Sequence, residues 1–183
     1  MRLFVAVQPS EEFRKALSVL QSRLQASGIT ARYLDPSNFH LTLAFIGEWP
    51  ENIAGILPAV EKPFILKLSH AGIFPEAKVL WAGVAPSDAL NQLAASVRNA
   101  LSEAGIPFDP KPFVPHITLG RKPAVPEGTG RLADISVPPA AMTVSEVCVY
   151  KSEHRENGMV YTVIGRGSEG KPDENNPGSS AEE

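Results

Sequence analysis

Cysteine is almost absent from this chain, and that scarcity limits its covalent chemistry. The single residue, Cys148, has no partner within the chain, so no internal disulfide is available and a reducing, cytoplasmic setting is expected. It lies in the alternation Val147-Cys148-Val149, which predicts a small core residue, not a nucleophile. Long apolar runs are also missing. No stretch approaches the roughly 18 residues that cross a bilayer, so no membrane span is predicted. The opening Met1-Arg2-Leu3-Phe4-Val5-Ala6-Val7-Gln8 lacks a cleavage site and reads as a first strand, not a signal peptide. A strong charge excess is absent as well. The net charge is −3, but Gly167–Glu183 alone carries five acids and one lysine, leaving 16 basic and 15 acidic residues in 1–166. The expectation is a near-neutral folded domain over residues 1–166, binding any nucleic acid locally and modestly, and a disordered acidic tail over 167–183. Neither a P-loop nor a glycine-rich dinucleotide fingerprint occurs, so no ATP or NAD cofactor is expected.

What the chain does contain is a doubled motif. Two of its four histidines occur as His40-Leu41-Thr42-Leu43 and His116-Ile117-Thr118-Leu119. With four His and six Thr in 183 residues, His-x-Thr should arise about 0.13 times by chance. In a strand, residues i and i+2 share a face, about 6.6 Å apart. Each copy therefore presents one imidazole and one hydroxyl together, with Leu or Ile turned away. Two such strands facing one another would assemble two proton-transfer groups and two hydroxyl donors, an inventory suited to phosphoester chemistry.

The motifs belong to longer repeated units. Val7-Gln8-Pro9-Ser10-Glu11 recurs as Val84-Ala85-Pro86-Ser87-Asp88, an offset of 77 residues, and the histidines are 76 apart. Proline followed by an acidic first turn is a helix-start signal. The stripes Phe13, Leu17, Leu20, Leu24 and Leu90, Leu93, Val97, Leu101 predict two amphipathic helices, ended near Ala26 and Ala104 by Gly28 and Gly105. Further strands are expected at Phe64–Leu68, Val79–Val84, Val144–Tyr150 and Met159–Ile164, with loops at Lys122–Pro126 and Val137–Pro139. The predicted fold is α+β: two pseudo-symmetric lobes, each an antiparallel sheet with packed helices, enclosing a central cleft.

With Pro115 before the second motif and Arg121 after it, the pattern resembles the 2H phosphoesterase superfamily. Within that superfamily it is most similar to the RNA 2′,3′-cyclic phosphodiesterases, historically called 2′–5′ RNA ligases. The resemblance covers about residues 1–165 and includes Arg2-Leu3-Phe4-Val5-Ala6-Val7, Val79-Leu80-Trp81 and Val149-Tyr150-Lys151-Ser152. It implies hydrolysis of a terminal RNA 2′,3′-cyclic phosphate to a 2′-phosphomonoester. His40 would be the proton donor and His116 the proton acceptor, a pairing open to two histidines whose ordinary pKa lies near 6.5. Thr42 and Thr118 would bind the phosphate oxygens, and Arg121 would reach the phosphate or the RNA backbone. The partners implied are RNA ends, tRNA fragments among them, acted on by a cytoplasmic monomer.

No metal is expected, because two histidines without cysteines or neighbouring carboxylates fall short of a zinc ligand set. His70 reads as structural and His154 as a solvated turn residue. Phe45 and Trp81 read as core aromatics, with base stacking as the alternative. Other readings are ATP-independent 2′–5′ RNA joining, hydrolysis of a small cyclic phosphate, and non-catalytic binding of RNA ends.

Overall fold

In a computed structural model, which describes residues 1–167, each Val-x-Pro-Ser-acid segment converts a strand into a helix. Ser10 caps α1 (Glu11–Ala26), its hydroxyl accepting from Phe13 N at 3.2 Å. Ser87 caps α2 (Asp88–Glu103) in the same way, accepting from Leu90 N at 3.1 Å. Each cap satisfies one of the helix's free N–H groups, and acidic residues complement the positive end of the helix dipole. At the other ends, Gly28 (φ 92°) and Gly105 (φ 71°) adopt the left-handed conformation that closes a helix. Ile29 N then bonds Leu24 O, and Ile106 N bonds Leu101 O. All eight residues of the two predicted stripes are buried, each contributing about 2 kcal/mol through apolar burial.

The helices pack on one curled antiparallel sheet, giving a mixed α+β fold. Its strands are β1 (Arg2–Val7), β2 (Thr30–Tyr33), β3 (Leu41–Glu48), β4 (Phe64–Phe74), β5 (Val79–Val84), β6 (Ile117–Ala124), β7 (Ala141–Val144), β8 (Cys148–Arg155) and β9 (Gly158–Arg166). They are ordered β7-β4-β5-β6-β3-β1-β8-β9, with β2 also paired to β6. The motif strands β3 and β6 meet at the middle through a single rung, Leu41 opposite Ile117. Leu41, Leu43, Ile117 and Leu119 point into the main core while Thr42 and Thr118 remain half-buried on the other face, the period-2 alternation of a strand. Among the described residues no helix is long and apolar enough to cross a membrane.

Four details depart from the sequence reading. The strand expected over Val144–Tyr150 is two strands: β7 pairs with β4 and β8 with β1, and Ser145-Glu146-Val147 carries the chain between them. Val144 and Val147 are both buried, so the apolar pattern runs on through the crossover and hides it. β4 continues past Leu68 to Phe74 through an irregularity between Leu68 and His70. β6 extends through Ala124, into the segment expected to be a loop, because Lys122 takes a left-handed φ of 50° that keeps the chain pairing around Pro123. His154 lies within β8, exposed, and the turn itself is Glu156-Asn157. The predicted tail lies outside the described residues beyond Gly167.

Candidate active site

Both histidines sit immediately before their strands rather than within them, and each is fixed by the same local device. His40 Nδ1 lies 2.8 Å from the carbonyl of Asn38, and His116 Nδ1 lies 2.7 Å from the carbonyl of Val114. A carbonyl can only accept, so Nδ1 carries the proton and Nε2 is left free to accept a proton from, or donate one to, a substrate. Asn38 is itself anchored, its side-chain amide donating to Met159 O on β9 at 2.9 Å.

The two hydrogen-bonded imidazoles converge on one cavity of about 290 Å³. His40, Thr42, His116, Thr118 and Arg121, all five residues singled out from the sequence, line it together. Arg2, Phe4, Phe45, Ser152 and Tyr161 complete much of the wall. Arg121 is exposed at its edge, and Ser152 is buried with its Oγ unpaired among the described residues.

The environments of the histidines differ. His40 is enclosed by aromatic rings: Phe4 at 4.5 Å, Tyr161 edge-on at 5.0 Å and Tyr150 at 5.8 Å between centroids. Phe4 and Tyr150 are themselves stacked at 5.0 Å. Burial in this enclosure pushes the His40 pKa down from 6.5 to about 4, with smaller downward contributions from the charges of His116 and Arg121; the bond to Asn38 opposes the shift. His116 meets one ring, Phe74, edge-on at 5.1 Å. His40 is thus held neutral near neutral pH in the free protein.

Two residues outside the cavity brace the motif strands, and the pattern is reciprocal. Gln21 on α1, only 8% exposed, donates to Leu119 O and Leu34 O, both at 2.9 Å. Arg98 on α2 donates from Nε to Leu43 O at 3.1 Å and from Nη1 to Lys111 O at 2.8 Å. The helix of the first repeat therefore holds the strand of the second motif, and the helix of the second repeat holds the strand of the first. Leu43 and Leu119 directly follow the two threonines, so these bonds fix the hydroxyls' register.

Other expectations sort cleanly. Phe45, read as core, is 37% exposed on the cavity wall with the Arg2 guanidinium 5.3 Å from its ring. Trp81 is a packing residue, stacked on Phe74 at 4.9 Å and lying so close over Gly72 that a Cβ there would fall 2.4 Å from the indole. His70 packs over Gly83 and edge-on to Trp81 at 5.2 Å. The sequence reading did not single out Phe4, Ser152, Gln21 or Arg98. One signal was present: Gln21 interrupts the helical stripe of Leu17, Leu20 and Leu24 with a polar group that must find a partner. Among the described residues, no three His, Cys, Asp or Glu side chains cluster as a metal ligand set.

The geometry can be set beside known proteins. An RNA 2′,3′-cyclic phosphodiesterase of Thermotoga maritima is 34% identical over 175 residues, covering 90% of this chain and 93% of the relative. A protein of the same name from Thermus thermophilus is 32% identical, covering 100% and 99%. The crystal structure of Escherichia coli LigT complexed with 3′-AMP superimposes with a TM-score of 0.71 at 28% identity, covering 90% of this chain and 95% of that one. Residues 40–156, which contain both motifs, match the profile of the 2′-5′ RNA ligase superfamily. Together with the shared cavity of the two His-x-Thr pairs, these matches establish that the chain belongs to the 2′-5′ RNA ligase superfamily.

Proposed function

We propose that this protein hydrolyses the 2′,3′-cyclic phosphate at an RNA end to a 2′-phosphomonoester, without a metal, using His40 and His116 as its acid and base. The observation that carries this reading is the convergence of both His-x-Thr pairs on one cavity. The relatives named RNA 2′,3′-cyclic phosphodiesterase, aligned over most of the chain, support the choice of bond.

Water attacks phosphorus in line with the ribose 3′-oxygen. His116 Nε2 takes the water's proton as the new P–O bond forms. His40 Nε2 gives a proton to the 3′-oxygen as the P–O3′ bond breaks. Each positioned acid or base typically supplies about 10²–10⁴-fold. Thr42 and Thr118 donate to the non-bridging oxygens, where charge builds, and Arg121 adds a cation at the edge. Because burial keeps His40 neutral in the free protein, binding of the phosphodiester anion must be coupled to uptake of a proton from solvent at His40 Nε2: the anion's negative charge offsets the cost of desolvating the imidazolium. An adjoining cavity of about 300 Å³, sharing Thr42, Phe45 and His116 and walled by Phe74 and Phe113, is large and apolar enough for a nucleobase.

The strand order supports a pseudo-twofold relation between two lobes: β1, α1 and β3 match β5, α2 and β6, and the order reads alike outward from the β3–β6 junction. Such an axis would set one motif from each lobe on either side of a bound phosphate, as in-line transfer requires.

The test is incubation of an oligoribonucleotide ending in 2′,3′-cyclic phosphate with EDTA, followed by phosphorus NMR. Conversion to a 2′-phosphate, lost in both His40→Ala and His116→Ala, is the expected result. An intact cyclic end with wild-type protein refutes the reading.

A further inference from the structure

In-line displacement fixes where the rest of the substrate lies. In the mechanism proposed above, water approaches from the His116 side. The leaving 3′-oxygen, and with it the ribose and whatever is attached to its 5′ carbon, therefore lies on the His40 side. The wall there is built by β1, β8 and β9. Phe4 pairs with Tyr150 across β1 and β8, and these rings enclose His40. The next side chains on the same face, about 6.6 Å farther along, are Arg2 and Ser152, which are cross-strand partners in their turn. Tyr161 on β9 stands opposite Ser152. Arg2, Phe4, Ser152 and Tyr161 all line the catalytic cavity, so this row continues it on one face of the sheet.

Two groups in this row lack the partners their chemistry calls for. Arg2 is exposed and forms no ion pair among the described residues. Its cross-strand neighbour Glu48 bonds the N-terminal ammonium at 3.3 Å instead, and the guanidinium lies over Phe45 on the cavity wall. Ser152 is only 8% exposed, and its Oγ has no hydrogen-bond partner among the described residues. A buried hydroxyl left unpaired costs free energy that a ligand oxygen would recover, and no bond holds its present rotamer. The Arg121 charge acts on His40, which assigns that cation to the reacting phosphate. A further cation beside an unpaired hydroxyl, one strand repeat beyond the His40 enclosure, suits a second phosphate.

We propose that Arg2 and Ser152 bind the phosphate on the 5′-oxygen of the terminal nucleotide, the group that joins this nucleotide to the rest of the RNA. The proposal rests on the reading of the cavity given above. It adds a second phosphate subsite, which distinguishes the end of a chain from a bare nucleoside cyclic phosphate.

Adenosine 2′,3′-cyclic phosphate, with and without a 5′-phosphate, isolates that group. Wild type should favour the 5′-phosphorylated form by about tenfold in kcat/KM, carried by KM, as one charge-assisted contact implies. Arg2→Met, which keeps an apolar stem against Phe45, should bring the ratio to about 1, and Ser152→Ala should lower it about threefold. The ratio is the readout because a merely structural defect lowers both substrates alike. Arg2→Gln serves if the methionine variant fails to fold. Equal kcat/KM for the two substrates in wild type, or a ratio unchanged in either variant, overturns the proposal. Calorimetric binding of adenosine 2′,5′-bisphosphate and adenosine 2′-monophosphate separates this subsite from the catalytic reading. A preference of about tenfold for the bisphosphate, abolished by Arg2→Met, in a protein that hydrolyses neither cyclic substrate supports the subsite and refutes the phosphodiesterase. Equal affinity of wild type for the two ligands refutes the subsite.

Discussion

Acidification should weaken this fold through His40, and replacing that residue with glutamine should remove the effect. The aromatic enclosure holds the folded-state pKa at about 4 against an ordinary 6.5. As pH falls through 6.5 the unfolded chain takes up a proton that the folded chain refuses until about 4. The His40 contribution to stability is therefore fully present above 6.5, declines across the window, and is gone below 4. At 1.36 kcal/mol per pH unit the gap corresponds to about 3 kcal/mol, reduced to about 2 kcal/mol by the opening of the cavity to solvent. Glutamine can still donate to the Asn38 carbonyl but does not titrate in this range. Urea unfolding between pH 7.5 and 4 should show wild type losing about 2 kcal/mol more than His40→Gln, against the background of all other titrating groups, which the two proteins share. Inorganic phosphate should narrow the difference, since an anion in the cavity favours the imidazolium. Parallel decline of the two proteins, or an NMR titration placing His40 near 6.5, would refute the reasoning.

Three other consequences are open to measurement. Thr42→Val and Thr118→Val each remove one hydroxyl from the cavity and, if the proposed phosphate contacts hold, should lower kcat/KM about 10- to 100-fold with circular dichroism unchanged. Gln21→Leu leaves the Leu119 carbonyl without its helix donor and should cost about 1–3 kcal/mol in urea unfolding, with a fall in kcat as Thr118 loses register; Arg98→Met should do the same to Leu43 and Thr42. Gly72→Ala drives a Cβ to 2.4 Å from the Trp81 indole, which is stacked on Phe74, and should destabilise by about 1–3 kcal/mol in urea unfolding.

The parts of this molecule that depend on local chemistry were readable from its residues. Pro9 and Pro86, each followed by an acidic first turn, announce the helix starts because proline's fixed φ and negative charge both suit a helix N-terminus, and Gly28 and Gly105 announce the ends. The doubled His-x-Thr carried the cavity because strand alternation fixes which side chains share a face. What escaped were the features that depend on distant pairing. His40 owes its low pKa to rings on β1, β8 and β9, and Tyr161 lies 121 residues away in sequence, so nothing near His40 foretells the enclosure. The break between β7 and β8 was invisible because buried valines continue on both sides of it. The bonds from Gln21 and Arg98 join a helix of one repeat to a strand of the other, contacts that periodicity within either repeat cannot express.

The proposed mechanism gives the two histidines different jobs, and a substrate with a better leaving group tests that division directly. In a 2′,3′-cyclic phosphorothiolate with sulfur at the 3′ position, the departing atom leaves as a thiolate and needs no proton. Hydrolysis of this substrate by His40→Ala should recover by at least about 100-fold relative to the oxygen substrate, because only the acid has been lost, while His116→Ala remains inactive for want of a base. Recovery in His116→Ala instead would reverse the assignment, and recovery in neither variant would contradict acid–base catalysis by this pair.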